Sequence, residues 1–356
     1  MSNNKNKEVK NLEDPPNPQS IEEIQSRDKL SEPNLPIELI VMLAGESKPQ
    51  VEVDLVKTEE INDTKDTFQY EVKLSIQNPA LGVHAFPPPM QIEKFIPKRE
   101  LMVGQTDAYI PDHLPFRPVP CSLPKELHVR TVFPPDDRKV FQDTAYPWST
   151  IGRVETPNGK GTGVMVGPRH LLTAAHMIKW KSDGTTDWLT FAPALYDTSK
   201  PFGESFATKV YVPEVIVDPN DGMTDDEYKH DYVVVVLNTR IGDKTGWMNH
   251  KIYSKSWNDQ PNFIHVGYPW DLAGNYRPTY QKDIALKGSF WDSEDHIRIF
   301  HKADTYKGQS GGPFFGYWDS KPHVVAVQSA GLSDENVASG GAHMVNLIQR
   351  ALVDYP

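Results

Sequence analysis

Three short segments of the 356-residue chain carry side chains that can act together in nucleophilic chemistry. Leu172-Thr173-Ala174-Ala175-His176 ends an apolar run on a histidine, after small residues that permit close packing. His230-Asp231-Tyr232 sets a carboxylate at the mouth of the apolar run Val233 to Leu237. A carboxylate buried there needs a partner, and an imidazole N–H is a good one. Gly308-Gln309-Ser310-Gly311-Gly312-Pro313 holds a serine in a glycine-rich turn. Glycine allows φ > 0 and lets a substrate come close to the backbone. Serine is a weak nucleophile until a base takes its proton. Histidine titrates near neutrality, so it can take that proton and return it to a leaving group. An aspartate fixes the imidazole tautomer and stabilises the imidazolium. The turn can also aim the N–H groups of Gly308 and Ser310 at one point, where an oxyanion would sit.

Each segment alone has a structural reading: a strand-end histidine, a turn or cap aspartate, a glycine turn. Their joint occurrence in the order His176, Asp231, Ser310 is harder to explain that way. The separations of 55 and 79 residues each leave room for several strands.

The elements that must position these residues are β in texture. After about Val132, short strand-like runs recur between Gly, Asn, Asp and Pro: STIGRVE, TGVMVGP, HLLTAA, KVYVPEVIV, DYVVVVLN, FIHVGYP, IRIFHKA and HVVAVQSA. That pattern predicts a sandwich or barrel. Thr156-Pro157-Asn158-Gly159 carries the Asn-Gly hairpin signal. Only AHMVNLIQRALVDY at the end repeats apolar residues at helical spacing, through Met344, Leu347, Ile348 and Leu352. A mainly β domain closed by a C-terminal helix is the expectation.

The first 130 residues differ. They hold 16 of the 31 prolines in just over a third of the length. Residues 1–35 are charged and rich in Asn and Pro, too poor in apolar area to offset ordering entropy, and are expected to be disordered. Residues 37–44, 51–57 and 67–76 read as strands. The stretches 85–97 and 109–124 read as extended, proline-punctuated connectors, excluded from helices and central strands.

Composition removes several classes. A net charge of −11 argues against a nucleic-acid backbone as partner. No apolar run approaches the ~18 residues of a membrane-spanning helix. The single cysteine, Cys121, allows neither an intrachain disulfide nor a thiolate metal cage. The remaining histidines show no metal-ligand spacing such as HExxH, so neither metal nor cofactor is expected. The acidic run Asp218 to Glu227 reads as a solvated loop, with weak calcium binding as its alternative. Trp180, Trp188, Trp247, Trp257 and Trp291 read as packing. The N-terminus lacks the apolar core of a secretory signal, which points to the cytoplasm or a leaderless export route.

TAAH, the Asp-Tyr-Val-Val-Val run and GQSGGP resemble the three catalytic segments of chymotrypsin-fold serine proteases. The nearer resemblance is to the glutamyl endopeptidase-like branch, which works without disulfides and is secreted by habit. GTGVMVGPRHLLTAAH is similar to that branch's first catalytic hairpin, TVFPPDDRKVFQDTAYPWSTIGRV to its mature start, DTYKGQSGGPFF to its serine loop. HVGYPWD resembles its Gly-Tyr-Pro-Gly-Asp turn, with Trp270 at the second glycine. The resemblance spans roughly residues 131–353. It implies a trypsin-like double antiparallel β-barrel with His176, Asp231 and Ser310 as a triad in the cleft between barrels. It makes Gly308 and Ser310 the oxyanion donors. It also implies a pocket threonine, Thr305, and places Gln328 where the branch has a glutamate-binding histidine, which puts glutamate specificity in doubt. Ser329 to Gly331 become a substrate-pairing edge strand. Asp304 is a basic-residue acceptor by analogy with trypsin-like enzymes or a structural aspartate by analogy with this branch. Lys307 is a pocket-rim cation or a solvated lysine.

The function implied is a monomeric serine endopeptidase acting on polypeptides through an acyl-enzyme. A serine esterase and a non-catalytic protease-fold binding module are the alternatives. Residues 36–130 are expected to be a pro-segment removed at Arg130–Thr131, or a permanent accessory region, before a protease domain at 131–356.

Overall fold

The computed structural model describes residues 17–25, 87–94, 107–121 and 136–356, apart from 182–184, 214–222, 273 and 333, together with the backbone of 51–57 and 70–76. The expected strand at 37–44, the junction Arg130–Thr131 and the first part of the acidic run lie outside the described residues.

Helix α1 (Ile21–Gln25) comes first. Residues 31–86 form a compact unit of their own. Its described part is an antiparallel pair, β1 (Val51–Lys57) with β2 (Tyr70–Ile76), in register from Val51↔Ile76 to Lys57↔Tyr70. Two of the three strands expected here are thus paired with each other.

The larger unit contains two sheets. The first is built from β3 (Gln91–Lys94), β5 (Ile151–Thr156), β6 (Gly159–Met165), β7 (His170–Thr173), β8 (Thr190–Pro193), β9 (Ser205–Val212) and β10 (Val233–Leu237). The order β10-β7-β6-β5-β8-β9 closes through β9–β10 pairing into a six-stranded antiparallel barrel. β3 adds in parallel outside β9. Flanking prolines suit it to an edge, the place where a missing N–H does least harm. The expected hairpin forms, but one residue earlier than an Asn-Gly turn: Thr156↔Gly159 makes Pro157-Asn158 the two-residue turn, and Gly159, at φ +134, opens β6.

The second sheet takes β4 (Lys139–Val140), β11 (Asn249–His250), β12 (Phe263–Gly267), β13 (Thr279–Ile284), β14 (Leu286–Gly288), β15 (Ile297–His301), β16 (Pro313–Trp318), β17 (Lys321–Gly331) and β18 (Asn336–Gly340). Its order is β14-β15-β18-β17-β16-β12-β13-β4, a half-barrel that does not close by pairing among the described residues. Short helices α2 (Asp225–Lys229) and α3 (Gly242–Thr245) sit in loops, and α4 (Ala342–Asp354) ends the chain.

The three larger packed cores among the described residues draw on both faces of the strands. Val154, Leu171, Phe191, Val210, Val233 and Val235 fill the first barrel. Phe263, Ile297, Ile299, Phe314, Val325 and Ala338 fill the second sheet. The opposite faces of the same strands, through Val164, Leu172, Val234, Val266, Phe315 and Val327, meet between the sheets with Met344, Leu347, Ile348 and Leu352 of α4. Those four are the residues whose spacing predicted the helix.

The N-terminal segment is not free of the body throughout. Ile24 is fully buried and Ile21 nearly so, both in the core between the sheets. The Gln19 N–H donates to the Tyr317 carbonyl at 2.7 Å and the Asn262 amide to the Pro18 carbonyl at 3.0 Å. Two isoleucines one helical turn apart supply apolar area that the surrounding charged sequence hides from a composition argument. The connector 107–121 is likewise packed: Arg117 pairs with Asp143, and the Tyr109 and Trp247 backbones exchange hydrogen bonds at 3.1 Å each way.

Replacing Ile24 by alanine removes a fully buried side chain, so stability in urea should fall by roughly 2–5 kcal/mol, within the usual range for a core Ile→Ala change. A change below about 0.5 kcal/mol, the surface-substitution range, would show that α1 is not part of the core.

Candidate active site

β7 ends at Thr173, Ala174 stays extended, and a 3-10 turn over Ala175–Met177 carries His176. On the other side, Thr224 and Glu227 form a reciprocal capping box that starts α2. His230 caps the end of α2, and its carbonyl accepts the Tyr232 N–H at 2.8 Å. This tight turn sets Asp231 immediately before the buried run of β10. β7 and β10 are paired in register through Thr173↔Val233, so the two segments emerge side by side.

The result is a close pair. The His176 backbone N–H donates to Asp231 Oδ1 at 2.9 Å, and His176 Nδ1 donates to Oδ2 at 2.7 Å. Asp231 has no exposed surface, while the His176 side chain keeps 16%. Ser329 Oγ donates to the same Oδ2. Burial pushes the Asp231 carboxyl upward, but the His176 charge and the hydrogen bonds from His176 and Ser329 hold it below the ordinary 3.8. Burial pushes His176 downward, and the adjacent Asp231 charge and hydrogen bond more than offset that, leaving it above the ordinary 6.5. With Nδ1 committed to the carboxylate, Nε2 is the ring's basic nitrogen.

The serine turn is clamped to these strand ends. Ser310 is half-buried, and its carbonyl accepts the Thr162 N–H at 2.8 Å. Gly311 has φ +78, and a Cβ there would lie 2.2 Å from Thr173 Oγ1 and 2.7 Å from the Ala174 nitrogen, two residues before His176. Gly308 has φ +98, and a Cβ there would meet Tyr268 O at 2.4 Å. Only glycine fits either position without backbone strain. Thr162 Oγ1 donates to the Gly308 carbonyl at 2.8 Å and holds that peptide in orientation. Among the described residues no acceptor meets the N–H of Gly308 or of Ser310, so both donors remain available to an oxyanion.

The remaining expected site residues fall in different settings. Gln328 lies buried on β17 with Nε2 donating to the Ala330 carbonyl. Burial pushes the neighbouring His301 down to about 3, with the Gln328 side chain pulling the other way. Thr305 is buried and Lys307 exposed, the Lys307 carbonyl accepting the Trp270 N–H at 2.7 Å. Asp304 is buried, and its Oδ2 accepts the Asp137 N–H at 2.9 Å. β16 pairs with β17 only as far as Val327, which leaves Ser329 to exposed Gly331 as an edge beside the serine turn. Ser329 adds a side-chain role that its place in an edge strand does not reveal.

A further network was not legible from sequence. The buried Arg138 guanidinium meets Asp136 at 2.9 Å, Asp271 at 2.7 Å and Gln309 Oε1 at 3.1 Å. The same Gln309 oxygen accepts the Tyr306 N–H at 2.9 Å. Arg138, just before β4, therefore braces the residue before Ser310 from 171 positions away. No spacing rule links such residues.

No protein-family model matches the chain. Over 217 residues it is 27% identical to a glutamyl endopeptidase of Bacillus licheniformis, and over 221 residues 23% identical to a protein of Bacillus subtilis named extracellular metalloprotease. Each match takes 60% of this chain and 64% and 66% of the respective relative, so the chain spans just under two thirds of the length of either. A solved structure of a Glu endopeptidase in complex with MPD superposes with a TM-score of 0.51 at 20% identity, covering 62% of this chain and 99% of that one. The chain is thus a homologue of a glutamyl endopeptidase and has the chymotrypsin-like fold, its first barrel closed and its second half-open.

Two outcomes follow from the geometry. The His176 ring should titrate by NMR with a midpoint above 6.5, and Asp231→Asn should lower it, because the substitution removes the charge that raises it. An unchanged midpoint would separate the two groups. Arg138→Met strands two largely buried carboxylates, so it should destabilise the fold by about 3–5 kcal/mol in denaturant. A loss below about 1 kcal/mol, the range of exposed pairs, would mean that the network is solvated.

Proposed function

We propose that this chain is a serine endopeptidase in which Ser310, His176 and Asp231 act as a triad. One observation carries the reading: His176 Nδ1 is held by a fully buried carboxylate, on the strand end against which the Ser310 turn is clamped. In the reaction Ser310 Oγ attacks the peptide carbonyl while its proton passes to His176 Nε2. Asp231 stabilises the imidazolium, and the Gly308 and Ser310 amides receive the oxyanion. The imidazolium then gives its proton to the leaving amine, and water, deprotonated by the same nitrogen, releases the acyl group from Ser310. The substrate backbone pairs with the edge at 329–331 as an added strand.

The name of the Bacillus subtilis relative raises a metal mechanism, and the donor set at this site does not fit one. Both Asp231 oxygens already accept from His176 and one also from Ser329, which leaves one histidine and a serine.

The pocket reading is a polar side chain at the cleavage position. Thr305 and Gln328 offer hydrogen bonds, and the glutamate-binding histidine of the branch is absent at 328. The engagement of Asp304 by the Asp137 amide supports a positional role for that carboxylate over acceptance of Arg or Lys. The burial of Ile21, Ile24 and Met90 favours an N-terminal region retained on the enzyme, even if the chain is cut at Arg130–Thr131. N-terminal sequencing with gel filtration of the active species checks this, and retention means that both pieces elute together.

A fluorophosphonate probe should label wild type at Ser310 and fail on Ser310→Ala, and casein should be digested only by the former. Ser310→Ala should lower kcat by a factor on the order of 10⁶, and Asp231→Asn by ~10⁴. Because neutral His176 is the base, kcat/KM should climb as pH rises through that group's pKa, above 6.5. Near-normal turnover in Ser310→Ala, or a flat profile from pH 5 to 8, would refute the assignment.

A further inference from the structure

Outside the catalytic cleft, three histidines remote in sequence converge. His230 lies at the end of α2, His296 precedes β15, and His343 opens α4. One ring nitrogen from each lies within 4.8 Å of the others. The rings of His230 and His296 are 4.6 Å apart and those of His296 and His343 5.3 Å. Backbone contacts hold the three elements in place. The Ala342 and His343 N–H groups donate to the Glu294 and Asp295 carbonyls at 2.8 and 2.7 Å, which seats the start of α4 against the residues before His296. Ser339 Oγ donates to the Tyr228 carbonyl, tying β18 to α2.

The ring chemistry distinguishes this cluster from ordinary packing. His230 is buried, and its Nδ1 donates to the Asp226 carbonyl at 2.8 Å. That bond fixes the tautomer and makes Nε2 the nitrogen with the lone pair, the hydrogen-bonding pattern of metal-binding histidines. His296 Nδ1 is buried without a hydrogen-bond partner among the described residues. His296 and His343 lie next to other imidazoles that would repel them as cations, which favours their neutral, ligating form. Burial and mutual proximity hold His296 and His343 below the ordinary 6.5. The surrounding charges are mixed. Asp226 and Asp295 favour positive charge at His296 and His343 respectively. Lys229 opposes it at His296, though it is 3.2 Å from Asp226.

We propose that His230, His296 and His343 bind one divalent transition-metal cation of the Zn²⁺ class. Imidazole nitrogens suit zinc, cobalt, nickel and copper, whereas calcium and magnesium demand oxygen. Tetrahedral coordination at about 2.0–2.1 Å places ligand nitrogens about 3.3 Å apart, within reach of small rotations of the half-exposed His296 and His343. The fourth position is open to water. His230 leads through Asp231 into β10 of the closed barrel, while His296 leads into β15 of the second sheet and His343 opens the helix after it. The ion is therefore a clamp across the two halves, one residue from Asp231.

Metal-free full chain titrated with Co²⁺ should develop the visible absorption of a tetrahedral site, saturating at one ion per chain and displaced by Zn²⁺. His296→Gln and His343→Gln should each lose that saturation, and His176→Ala should keep it, which separates this site from the catalytic histidine. Zn²⁺ should raise the Tm of wild type and not of His343→Gln. In wild type itself, Zn²⁺ should shift the ring NMR signals of His230, His296 and His343, a readout that needs no variant to fold. No saturable Co²⁺ signal, a signal undiminished in both glutamine variants, its loss in His176→Ala, or Zn²⁺ shifts confined to other histidines would each overturn the proposal.

Discussion

A carboxylate with no contact to solvent sits at the meeting of the two sheets, and much of the molecule is arranged to keep it ionised. An unpaired buried charge is strongly destabilising, so Asp231 requires donors on every side. They come from both halves: His176 from the closed barrel and Ser329 from β17 of the second sheet. The apolar core between the sheets, shared by Val164, Val234, Val266, Phe315 and α4, is what brings these donors into range. Asp231 thus links the stability of the interface to the basicity of His176.

The serine turn obeys a second constraint, close approach. Gly308 and Gly311 press against Tyr268, Thr162 and Thr173 at distances no Cβ tolerates. Thr162 serves both sides, giving its hydroxyl proton to Gly308 and accepting the Tyr268 N–H. Arg138 steadies the adjacent Gln309 from the beginning of the second sheet. The turn is positioned by backbone contacts, the Thr162 hydroxyl and one buried guanidinium, which leave the Gly308 and Ser310 amides uncommitted among the described residues. Around this body, residues 17–25 and 87–94 add an isoleucine pair and an edge strand.

Much of this was legible in the residues. The runs of β-branched and aromatic residues between turn formers marked the strands, and their spacing marked a sandwich or barrel. Asn158-Gly159 announced its hairpin because the residue that leaves the turn takes a positive φ. The helical spacing of Met344, Leu347, Ile348 and Leu352 marked α4. The His176, Asp231 and Ser310 segments could be picked out because each carries its own local chemistry: an apolar strand ending on a base, a carboxylate at a strand mouth, a serine among glycines. These features depend on neighbours within a few residues, which is the range over which sequence dictates conformation.

What the tertiary structure alone decided are contacts between residues far apart in the chain. The hydrogen bond from Ser329 to Asp231 spans 98 positions, that from Arg138 to Gln309 spans 171, and the convergence of His230, His296 and His343 unites three separate elements. None has a spacing signature, because strand order, not sequence distance, sets which side chains meet. Asp304 shows the same division: its distance from Ser310 allowed two roles, and only folding put the Asp137 amide on its carboxylate. The packing of Ile21 and Ile24 was hidden for a related reason. Average composition measures how much apolar area a segment carries, but burial depends on whether two side chains on one helical face find a groove, and that groove is made by Tyr317 and its neighbours some 300 residues later.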